Sequence, residues 1–126
     1  MGIFIERERC CEATFRDGGP YWHAYTSGKD TPLLFALRED LVFVMNVIAQ
    51  AAALFPEIRI IAFEVMNNHF HFVVSAEKEA VLAFWGFVRK RLSRFFPLVK
   101  DLLITLNQID DLGSLRNNIV YTNRNG

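Results

Sequence analysis

The hydrophobic positions of this chain change period along its length, and each change marks an element. Residues 1–19 mix charge with Phe and end in Asp17-Gly18-Gly19-Pro20, a strong turn signal, so this stretch reads as an N-terminal arm or a short extra strand. Tyr21 to Thr26 is an aromatic-rich strand, with Tyr21, His23 and Tyr25 on one face and Trp22 and Ala24 on the other. Ser27 to Pro32 closes it as a loop. From Glu39-Asp40 the period becomes helical: Leu41, Val44, Val47, Ile48, Ala51, Leu54 and Phe55 form the apolar stripe, the acidic residues suit the helix dipole, and Pro56 stops the helix. Ile58 to Met66 is β-branched and apolar on both faces, which predicts a central strand covered on both sides. Asn67-Asn68 supplies a turn, because Asn tolerates left-handed backbone angles, and a second strand follows it with His69 at the entry. Glu77 to Phe96 is a second helix with the stripe Val81, Trp85, Val88, Leu92 and Phe95. Leu102 to Leu106 is a weak fourth strand, and Asp110 to Asn125 a last helix with Gly126 placed as its C-cap.

Strand, helix, strand, strand, helix, strand is the ferredoxin-like βαββαβ plan, here with an additional C-terminal helix. The expected class is therefore an α+β sandwich with an antiparallel sheet, built as one domain over residues 1–126. That plan hosts many functions, so the chemistry must be read from particular residues.

Composition narrows the choice. The formal net charge is zero, so any nucleic-acid binding has to come from local patches. Hydrophobic residues make up 52% and 12 residues are Phe, which points to extensive burial or a self-association surface. The longest apolar run, Leu41 to Phe55, is broken by Asn46 and Gln50 and falls short of the roughly 20 residues a membrane span needs. Without a charged-then-apolar leader, the expected location is cytoplasmic, with no membrane partner. Cys10 and Cys11 are adjacent and lack the spacing of a zinc knuckle or a disulfide framework, so they read as reduced thiols.

Chemistry concentrates in Met66-Asn67-Asn68-His69-Phe70-His71-Phe72, which holds two of the 3 histidines. On a strand, His69 and His71 project to one face while Phe70 and Phe72 project to the other. Two imidazoles one pleat apart can share a divalent ion, although a His-x-His taken alone suits ordinary strand histidines equally well. In the last helix Asn118, Tyr121 and Asn125 share a stripe at i, i+3 and i+7, while Leu115 and Ile119 lie on the apolar side. On the second helix Arg89, Lys90, Arg91 and Arg94 form a basic face, which is either a solvated surface or a set of phosphate contacts.

The segment from Met66 to Phe72 resembles the His-hydrophobic-His signature of the single-tyrosine transposases, in particular the REP-associated and IS200-like enzymes. Pro20 to Thr26 resembles their first strand and Asn118 to Asn125 their tyrosine helix, in the family's order and at roughly its spacing. The resemblance implies a metal-dependent enzyme that cuts and rejoins single-stranded DNA beside a hairpin. Tyr121 would be the nucleophile, leaving a 5′-phosphotyrosine and a free 3′-hydroxyl. It further implies that His69, His71 and Asn125 hold Mg2+ or Mn2+ and that the protein is a homodimer; on such a substrate Arg89, Lys90, Arg91, Arg94 and Arg124 are the candidate phosphate contacts. His23 reads as a packed strand histidine beside Tyr21 and Tyr25. Glu64 would add charge to the site if the hairpin register brings it to the same face.

Three departures set the chain apart from that pattern. Asn67 stands where the family has proline, Gly126 stands where it has proline after the last Asn, and relatives generally continue beyond this point. Two other readings therefore stay open. One is a catalytically inactive or truncated nucleic-acid-binding relative; the other is a ferredoxin-like association or small-ligand domain, with His69 and His71 packed in apolar surroundings away from Tyr121.

Overall fold

In a computed structural model, the protein is described over residues 5–9, 20–28, 31–109 and 112–124, with side chains described for residues 20–28, 31–109 and 113–120. The elements in chain order are β1 (Ile5–Arg9), β2 (Tyr21–Thr26), α1 (Arg38–Leu54), β3 (Arg59–Val65), β4 (Phe70–Ser75), α2 (Lys78–Ser93), a 3-10 turn (Pro97–Asp101), β5 (Ile104–Ile109) and α3 (Leu112–Arg124).

The five strands form one sheet in the order β1-β5-β2-β4-β3. From β2 to β5 the strands pair antiparallel, which is the expected βαββαβ core, and β1 adds parallel to β5 at the outer edge. The N-terminal stretch therefore contributes an extra strand at residues 5–9. α3 is the additional helix.

Alternation along β4 divides the molecule into two layers. Phe70, Phe72 and Val74 point with Trp22 and Ala24 of β2 and with Ile104 and Leu106 of β5 into a core closed by Val44, Val47, Ile48 and Ala51 of α1 and by Val81, Phe84, Trp85, Val88 and Leu92 of α2. Its aromatics interlock. Phe72 stacks with Phe70 at 6.1 Å between centroids and meets Phe84 edge-on at 5.7 Å, a geometry favoured by the ring quadrupoles. The Trp22 indole N–H is spent on the Ala76 carbonyl at 3.1 Å, so that the buried ring leaves no bare donor. On the opposite face Ala62, Val73 and Ile109 pack beneath Leu115 and Ile119 of α3.

Several boundaries depart from the sequence pattern. α1 begins at Arg38, where the Leu37 amide donates to the Asp40 carboxylate at 3.1 Å and fixes the start. α2 stops at Ser93, ahead of Pro97, whose ring disfavours helical angles at Phe96 (φ −131°, ψ 82°), and Phe95 is left 63% exposed instead of completing the stripe. The 3-10 turn delays β5 to Ile104–Ile109. β3 is an edge strand and not a central one. Its apolar residues on both faces are nonetheless accounted for, since Ile60, Phe63 and Val65 back the α1–α2 core while Ala62 lies beneath α3. A register shift between Ile60 and Ala62 leaves Ile61 39% exposed at that edge.

Candidate active site

β4 carries the site because its pairing leaves no freedom over which way His71 points. Tyr25 on one side and Glu64 on the other are its cross-strand partners, and residues directly opposite in an antiparallel pair share a face. His71 is therefore on the α3 side of the sheet. His69 lies one residue before β4, immediately after the Asn67-Asn68 turn, which is closed by the Met66 amide donating to the His69 carbonyl at 2.9 Å. The rings of His69 and His71 are 5.0 Å apart between centroids and 82° apart in plane, so the paired imidazoles expected from the alternation do meet.

The structure adds the chain's third histidine to them. His23 Nε2 and His71 Nδ1 are 3.3 Å apart, one ring nitrogen donating to the other, and both residues are buried, at 8% and 5% exposure. Tyr25 stacks on His23 at 4.6 Å and lies near-parallel to His71 at 5.8 Å. The strand alternation had placed His23 and Tyr25 on one face. Which strand would lie beside them was a long-range matter that no local pattern reports.

Burial dominates the electrostatics. It pushes His23 down to about 4, with the neighbouring His71 adding to the effect, and pushes His71 to about 4 with a further contribution from His69. His69, less enclosed, is lowered for the same reason. At neutral pH all three rings are therefore uncharged, which is the form that offers a lone pair to a metal.

Whether the pair suits a divalent ion can be judged from the ring separation. Two imidazoles ligating one ion through nitrogens at about 2.1 Å hold their centroids roughly 5 Å apart, and His69 and His71 meet that spacing. Glu64 faces the same side of the sheet as His71 by register. Even so, no three His, Cys, Asp or Glu side chains among the described residues come together as a metal-holding group. Asn125, the expected third ligand, lies outside the described residues.

Tyr121 belongs to α3, whose Leu115 and Ile119 pack on the same sheet face that carries His71. Asn118, on the Tyr121 stripe, is half-buried and donates to the Ser114 carbonyl at 2.8 Å. The Tyr121 and Arg124 side chains lie outside the described residues.

The basic cluster of α2 divides. Arg89 is corrected as a DNA-contact candidate: it is only 3% exposed, and its guanidinium donates to the Lys100 carbonyl at 2.7 Å, tying α2 to the 3-10 turn. Its i+4 relation to Trp85 puts it on the buried face, where a long aliphatic stem is tolerated. Lys90, Arg91 and Arg94 are exposed and, with Phe87, line a cleft of about 370 Å³ in which the Arg91 guanidinium lies 5.3 Å from the Phe87 ring centre. They sit on the helical layer opposite the face that carries the imidazoles.

Two residues not singled out from the sequence complete the site. Asn68 bonds His69 through its amide oxygen, with 2.6 Å between Asn68 Oδ1 and His69 Nδ1, and Gly28 lies against the same ring. The part of Gly28 could not be seen from local spacing, because its contact joins the loop after β2 to the β3–β4 turn, whereas Asn68 meets its own chain neighbour.

No helix among the described residues is long and apolar enough to cross a membrane. No protein-family profile and no curated protein matches the chain. Among solved structures, a REP-associated tyrosine transposase bound to a REP hairpin is similar with a TM-score of 0.68 at 16% identity, over 93% of this chain and 72% of that one. A provisionally named transposase from Deinococcus radiodurans R1 is similar with a TM-score of 0.56 at 16% identity, over 93% of this chain and 95% of that one. The chain therefore has the fold of the REP-associated and IS200-like tyrosine transposases, with its paired imidazoles on the sheet face that α3 covers.

Proposed function

We propose that this protein is a single-tyrosine transposase that nicks and rejoins single-stranded DNA beside a hairpin, with Tyr121 as nucleophile. What carries the reading is the meeting of His69 and His71 at 5.0 Å on the face packed beneath the tyrosine-bearing helix. The fold shared with a transposase whose structure was determined on a REP hairpin supports the same substrate class.

In the proposed step the Tyr121 hydroxyl gives up its proton to solvent as its oxygen bonds to the phosphorus of a phosphodiester, the bond from phosphorus to the 3′ oxygen breaks, and that oxygen takes up a proton to leave as a 3′-hydroxyl. The phosphotyrosine keeps the bond energy for the reverse attack by another 3′-hydroxyl. A phenol of ordinary pKa, about 10, is almost wholly protonated at neutral pH. His69 and His71, with Asn125, would hold a divalent cation, which supplies charge stabilisation at the phosphate and its leaving oxygen. Two neutral imidazoles and an amide favour Mn2+ over the harder Mg2+ in vitro. His23, through the His71 nitrogen, holds that ring in place from behind. Arg124 would contact phosphate near the nucleophile.

A homodimer is part of this proposal, supported by exposed Met45 and Ile61 beside the edge strand β3. Light scattering on the purified protein tests it.

The deciding experiment incubates the protein and Mn2+ with a DNA hairpin bearing a single-stranded flank, and Tyr121→Phe serves as control. A denaturant-resistant protein–DNA adduct in the unmutated protein and none in the variant is the expected result. No adduct from the unmutated protein would leave a non-catalytic nucleic-acid-binding relative as the better reading.

A further inference from the structure

His71 is oriented by sheet pairing, but His69 lies just outside β4 and needs another constraint. The chain supplies one from the loop after β2. The Asn68 amide nitrogen donates to two backbone carbonyls, Gly28 at 3.1 Å and Thr31 at 3.0 Å. Carbonyls only accept, so these two contacts fix which end of the amide is NH2. Asn68 Oδ1 must then be the atom facing His69 Nδ1 at 2.6 Å, and because Oδ1 can only accept, the proton lies on Nδ1.

From this geometry we propose that Asn68 and Gly28 form an orienting clamp on His69, with Asn68 as a positioning residue that holds the ring in its Nδ1-protonated tautomer and leaves the Nε2 lone pair for a divalent cation. The inference rests on the metal-binding part of the function proposed above. It follows the general design in which a metal-ligating histidine donates its other N–H to a fixed acceptor.

Gly28 makes the close approach sterically feasible. A Cβ at that position would lie 2.6 Å from His69 Nδ1, 3.0 Å from its Cε1 and 3.2 Å from Asn68 Oδ1, so any side chain there must displace the ring or the amide. The loop is itself braced. Thr31 donates its hydroxyl to the Ser27 carbonyl at 2.7 Å, and the Leu34 and Phe35 amides both donate to the Asn67 carbonyl at 2.9 Å, binding the loop to the turn that carries Asn68.

Two readouts test this. In protein labelled with 15N at histidine, at neutral pH and without metal, the imidazole shifts of His69, assigned against His69→Ala, should report a protonated Nδ1 and a bare Nε2. Asn68→Ala should lose that preference, whereas Asn68→Asp, which keeps an acceptor for Nδ1 but turns an oxygen toward the Gly28 and Thr31 carbonyls, should retain it only in part. Mn2+ titration followed by electron paramagnetic resonance should show affinity weakened by roughly 10–100-fold in Asn68→Ala and in Gly28→Ala.

Protonated Nε2 in the unmutated protein, or an Asn68→Ala variant with unchanged tautomer and Mn2+ affinity, would overturn the clamp. Failure of the unmutated protein to take up Mn2+ would refute its metal-binding purpose, and the metal-free shifts would still decide the tautomer. Should Gly28→Ala not fold, the Asn68 variants decide the matter.

Discussion

The two faces of β4 are built from the same six residues and do different work. One face, Phe70, Phe72 and Val74, is dry and aromatic and joins the layers of α1 and α2. The other runs from His71 through Val73 to Ser75, and its first residue faces His23, Tyr25 and the register position of Glu64. Both faces are buried, so burial alone does not separate stability from chemistry. What separates them is the chemical type of the buried group: the apolar face gains by excluding water, while the polar face spends hydrogen bonds on holding neutral imidazoles in place.

The sharpest test of that division removes a side chain from each face. Phe72→Ala opens a cavity between Phe63, Phe70 and Phe84, and should cost about 3–5 kcal/mol in urea unfolding, enough to unfold much of the population. His71→Ala should cost less, about 1–3 kcal/mol, mostly by stranding the buried His23 nitrogen, yet it should abolish Mn2+ uptake. Similar stability losses from both substitutions, with Mn2+ binding intact in His71→Ala, would erase the distinction between the faces.

The pH dependence of stability sharpens it further. His23 and His71 have folded pKa values near 4, below the unfolded value of about 6.5, so between those limits the unfolded chain binds more protons. Their contribution is complete above pH 6.5 and is lost as pH falls toward 4. The unfolding free energy from urea titrations across that window should drop, by about a few kcal/mol in total, and the drop should shrink in a His23→Gln, His71→Gln double variant.

The smallest effect is expected far from the site. Lys90, Arg91 and Arg94 are exposed on the helical layer away from the imidazoles, so changing all three to Ala should shift unfolding by no more than about 0.5 kcal/mol per substitution. Adduct formation on a short hairpin should be unchanged. A large loss of adduct would mean that DNA engages both layers at once.

The fold was largely legible because its cues are local. The period-2 strand at Tyr21 to Thr26, the helix that stops before Pro56 and the Asn67-Asn68 turn all resolve where the sequence pattern put them, with Leu54 of the helical stripe turned outward at 60% exposure. The edge position of β3 was not legible, since a strand covered by α1 on one face and α3 on the other carries the same apolar pattern at the edge as at the centre. The paired imidazoles were legible from alternation. The junction of His23 with His71 and the contact of Gly28 with His69 were not, because each joins residues more than forty positions apart. Arg89 misled because a basic run names a helix face only when every member points outward, and the α2 turn carries this one inward.

The central claim is that Tyr121 acts together with the imidazoles on the polar face, and peptide mapping of the DNA adduct by mass spectrometry tests it directly. The account predicts a phosphotyrosyl nucleotide on the peptide containing Tyr121 and no adduct from His69→Ala or His71→Ala protein that is still folded. An adduct formed at full yield by folded His71→Ala protein, or attached to a residue other than Tyr121, would contradict it.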